Sequence, residues 1–107
     1  MPESADRHIN KIRSQAEIRA KVAAAIHEAI AQIAMLNHAG PTNALRAIRA
    51  ADEVLASDVA FTSVEELSVL AQDAAEAAFA DVGFNSAKLV ADLHVITQTK
   101  LANADQS

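Results

Sequence analysis

The sequence predicts an all-α domain of four helices, at about 5–38, 43–56, 63–82 and 86–101, in a bundle-like or helical-hairpin arrangement with a long N-terminal helix. Three observations lead there. Apolar residues recur at three- and four-residue spacing through most of the chain, the period of a helix with one buried face. The 107 residues include only two glycines and two prolines, and the internal ones fall where an apolar stripe stops. Alanine is the commonest residue and there are three Phe but no Trp or Tyr. Ile, Leu and Val must therefore form the core, set among small residues that let helices pack closely.

Helix 1 is expected from Ala5 to His38, a stretch without Pro or Gly that stops at Gly40-Pro41. Some 34 residues at about 1.5 Å each span roughly 50 Å, whereas a compact chain of this size is roughly 35 Å across. The helix outruns its own domain, and a second copy of the chain or a partner protein is expected to cover the excess. On a helical wheel Ile9, Ile12, Ala16, Ala20 and Ala23 share one face, continued by Ile30 and Ala34. Val22, Ile26, Ala29, Ile33 and Leu36 add a second face in the latter half alone. That latter half is fit for a core, and the earlier half offers a narrow seam for one partner helix. Arg7, Lys11, Ser14, Lys21, Glu28 and Gln32 lie opposite, facing water.

Thr42 is expected to cap helix 2, with Leu45, Ile48, Ala51 and Leu55 facing inward. The segment from Ser57 to Phe61 loses the pattern. Ser63 with Glu66 makes a capping box that opens helix 3, Thr62 with Glu65 being the competing register. Its face is Val64, Leu67, Ala71, Ala74, Ala78 and Val82, and Gly83 ends it. Asn85 or Ser86 caps helix 4, whose stripe is Leu89, Leu93 and Ile96 with Val90 and Leu101 beside it. Residues 102–107 are polar and expected to fray. No internal repeat and no Gly/Ser/Pro-rich linker divides the chain, so 1–107 reads as one domain.

Charge is unevenly placed. Residues 1–50 carry Arg7, Lys11, Arg13, Arg19, Lys21, Arg46 and Arg49 against Glu3, Asp6, Glu17 and Glu28, a net +3. Residues 51–107 carry Lys88 and Lys100 against ten acids, a net −8. Such polarity serves either recognition of an acidic partner, nucleic acid or membrane by the first half, or attraction between halves of one fold or of two subunits, and the second is the favoured reading. The chain has no Cys, so it can form neither a disulfide framework nor a thiolate metal site. No stretch reaches the length of a membrane span and no signal-peptide pattern opens the chain, which points to a cytoplasmic protein with no membrane partner.

Candidate chemistry is sparse. Glu-x-x-His pairs of a di-iron bundle are missing, since Ala5, Ala24, Met35 and Ala91 stand three before the four histidines, and no His-x-x-x-His pair exists. A haem held by His27 or His94 with Met35 is a weaker reading than structural or exposed histidines. The two glycines both serve as helix stops, leaving none for a nucleophile elbow or oxyanion turn. Acid pairs such as Asp52-Glu53 and Glu65-Glu66 suit helix surfaces and first turns. No catalytic residue, metal ligand or cofactor site is assigned, and the chain is read as a non-enzyme.

The junction Val82-Gly83-Phe84-Asn85-Ser86-Ala87 joins two helices through a Gly-containing turn. These six residues are similar to the turn of AraC-type transcription regulators, a resemblance that implies a helix-turn-helix with Asn85, Ser86 and Lys88 as DNA contacts. The surrounding half is strongly acidic, however, and the helix that would enter the groove contains Asp92 and only Lys88 and Lys100 as cations. Phosphates would repel that surface. The favoured reading is a non-enzymatic protein–protein interaction module, a small adaptor, inhibitor or assembly component. It would self-associate as a dimer through Ile9, Ile12, Arg13, Ala16, Arg19 and Ala23. The alternative is a small DNA-binding regulator using the helix 3–helix 4 junction or the basic N-terminal arm.

Overall fold

The structure is a computed structural model that describes the backbone of residues 2–106 and the side chains of residues 15–103. Four helices, α1 (Pro2–Leu36), α2 (Pro41–Ala56), α3 (Val64–Asp81) and α4 (Ala87–Gln106), pack against one another, and no strand occurs among the described residues. The all-α bundle expected from the sequence is what the chain forms.

The helix ends show why the elements start and stop where they do. Pro2 stands in the first turn of α1, where its missing N–H would have no intrahelical acceptor. At the other end His38, not Gly40, is the left-handed residue, with φ 55°. Ala39 N–H donates to Ala34 O at 2.8 Å and His38 N–H to Met35 O at 3.2 Å, a Schellman turn that closes off the last carbonyls. Gly40, at φ 86° and ψ 162°, is then the N-cap of α2, with Pro41 in the first turn. Thr42, expected as the cap, lies within the helix, because Pro41 already has the backbone angle a first turn needs.

Helix α3 starts on the Ser63–Glu66 register, and Thr62 is joined to Glu66 and not to Glu65. Ser63 Oγ accepts the Glu66 N–H at 3.1 Å, while the Glu66 carboxylate reaches back past Ser63 to accept from Thr62 N–H at 3.0 Å and from the Thr62 hydroxyl. A second Schellman turn ends this helix at Gly83, φ 91°, with Phe84 N–H on Phe79 O at 2.9 Å and Gly83 N–H on Ala80 O at 3.0 Å. Ser86 Oγ accepts the Leu89 N–H at 3.1 Å and opens α4, which continues past Leu101 to Gln106.

Helix α1 is central and touches all three others. Helix α2 packs most extensively on α3, and α4 on α1, while α2 and α4 do not meet among the described residues. The large apolar side chains that are fully buried are Val22, Ile26, Ile30 and Ile33 of α1, Leu67 and Phe79 of α3, and Leu89 and Leu93 of α4. Each is worth about 1.5–3 kcal/mol of burial.

Three core expectations are corrected. Helix α2 buries Ala51 and Leu55 as expected, but with Ala44 and Ala47 in place of Leu45 and Ile48, so Leu45 is 46% exposed and Ile48 half-buried. Because α2 is pressed by α1 and α3 together, alanines at the crossing let the axes come close, and the larger Leu45 is left at the edge. Leu36, expected in the core, is 53% exposed, since the His38 turn ends the helix immediately after it. In α4, Thr97 rather than Ile96 occupies the buried stripe.

The molecule measures 55 × 27 × 20 Å, with a radius of gyration of 15.2 Å. Helix α1, at 35 residues, is about 52 Å long and accounts for the long dimension, whereas the next longest, α4 at 20 residues, reaches only about 30 Å. Among the described side chains of α1, those from Ile18 onward join the core.

Candidate interaction surfaces

Two places bear on interaction: the described start of the α1 seam, from residue 15 onward, and a groove between α1 and α2. On the first, Ala16 is exposed and Ala23 is half-buried against the core. The side chains of Ile9, Ile12 and Arg13 lie outside the described residues. Arg19 is committed to its own chain. Its guanidinium donates to Leu55 O and, at 3.2 Å, to Val59 O, and it stands 5.0 Å from the centre of the Phe61 ring. The final carbonyls of α2 and the loop beyond lack helical partners, and a forked cation reaches two of them at once.

The groove of about 840 Å³ is floored by Ala31, Ala34 and Ala44 and walled by Met35, Leu45 and Ile48, with His38 and Pro41 at its end. Met35 is 73% exposed, the most of any large apolar side chain described. Sequence reasoning missed this surface because it counted Leu45 and Ile48 toward the core. The available signal was the parallel stripe Ala44, Ala47, Ala51 at the same helical spacing. Beyond Ala31 and Ile48, one turn further along, His27 Nε2 and Asp52 Oδ1 meet at 2.6 Å and tie α1 to α2.

A polar cluster lies between α3 and α4. His94 Nδ1–H donates to Gln72 Oε1 at 2.9 Å, and Gln72 Nε2–H donates to Ser68 Oγ at 2.8 Å. Gln98 Nε2–H adds a longer contact to Ser68 Oγ at 3.4 Å. Ser68 and Gln72 are buried, so these bonds replace the water both have lost. Nearby, burial pushes the Glu76 carboxyl above its usual range, with Asp73 adding to the effect and His94 opposing it. Thr97 Oγ1 is buried without a hydrogen-bond partner among the described residues. Among those residues no three His, Asp or Glu side chains converge as a metal site would require.

At the α3–α4 junction Asn85 is exposed, Ser86 is occupied in capping α4, and Lys88 Nζ pairs with Asp92 Oδ2 at 2.8 Å along the same helix. Phe84 packs against the core. The three residues stand together, but two of them already have work within α4. Among the described residues no helix is long and apolar enough to cross a membrane. Comparison with known proteins finds no matching family model, no matching curated protein and no matching solved structure.

Proposed function

We propose that the chain is a non-enzymatic protein–protein interaction module that self-associates through the N-terminal part of α1. The observation that supports this is the helix itself: α1 is longer than any helix available to pack beside it by about 22 Å. Short helices are marginal in water without a surface to pack on. The helical register puts Ile9, Ile12 and Ala16 on the same side as Ala23, Ile30 and Ala34, the line that α2 helps to cover further along. A second α1 laid over that seam continues an interface the bundle already has.

Hydrogen exchange across a concentration series tests the reading. Peptide segments from residues 2–15 are expected to exchange slowly in concentrated protein and quickly on dilution, while segments of α3 stay unchanged. The full-length double variant Ile9→Asp/Ile12→Asp should exchange quickly in that region at every concentration. Exchange in residues 2–15 that ignores both dilution and the substitutions would refute self-association there.

A further inference from the structure

We draw no further inference here: the strongest candidate, the apolar groove between α1 and α2 walled by Met35, Leu45 and Ile48, carries none because nothing in the structure shows what covers it.

Discussion

Replacing Gly40 by Ala isolates a single backbone requirement. Gly40 joins the Schellman turn of α1 to the first turn of α2 at φ 86° and ψ 162°, a region that essentially only glycine enters. An added Cβ would meet nothing within 4 Å, so side-chain crowding contributes nothing to the cost. What remains is the conformational penalty for an L-residue, about 1–3 kcal/mol, offset by the roughly 0.4–1 kcal/mol that Ala gains by restricting the unfolded chain. The expected net loss is about 1–2 kcal/mol, or roughly 4–10 °C in Tm, read by urea and thermal unfolding at 222 nm. A chemically ligated D-Ala at position 40 supplies the decisive control. Its mirror-image preference makes these angles ordinary extended backbone, so stability should equal or exceed that of the natural chain. Gly40→Ala within about 0.3 kcal/mol of the parent, or D-Ala as damaging as L-Ala, would refute the account of this turn.

Other substitutions probe other parts of the bundle. Arg19→Ala should cost roughly 1–2 kcal/mol in urea unfolding through loss of the bonds to Leu55 O and Val59 O, and Arg19→Lys should recover only part of it because an ammonium lacks the fork. Thr97→Val removes a buried hydroxyl without a partner at nearly constant shape, and should stabilise the fold by about 1 kcal/mol. Glu76, its carboxyl raised above the ordinary value of 4.5 by burial and by Asp73 and lowered by His94, is disfavoured in its charged form within the fold. The penalty grows as pH rises through the folded pKa. Glu76→Gln should therefore be the more stable protein at neutral pH, and its advantage should vanish below about pH 4.5. Glu66 is opposite in sign: its bonds from Thr62 hold the carboxyl below 4.5, so its stabilisation is present above that pH and fades on acidification.

The helical period and the breakers were enough to read four helices, because periodicity and Gly or Pro punctuation are local properties. Ser63–Glu66 and Ser86 were legible for the same reason, each cap being written within four residues. What escaped was decided at a distance. Whether Leu45 or Ala44 faces inward depends on how closely α1 and α3 press on α2, and nothing within α2 states that separation. His38 looked like the tail of a helix, yet it takes the left-handed position because Gly40 is needed two residues later to lead into Pro41. Arg19 was expected in the self-association seam of α1, and its acceptors at Leu55 and Val59 are 36 and 40 residues away in sequence. The groove follows from the Leu45 misplacement alone: once that residue is seen at the edge, Met35 and Ile48 complete the walls.

The molar mass of the full chain in solution, measured by light scattering over a hundredfold concentration range, bears most directly on the central claim that α1 extends in order to meet another copy. The account predicts a mass rising to twice the 11.3 kDa of one chain, and held at 11.3 kDa by Ile9→Asp/Ile12→Asp without loss of helical signal. A mass of 11.3 kDa at every concentration for the unaltered chain would contradict it.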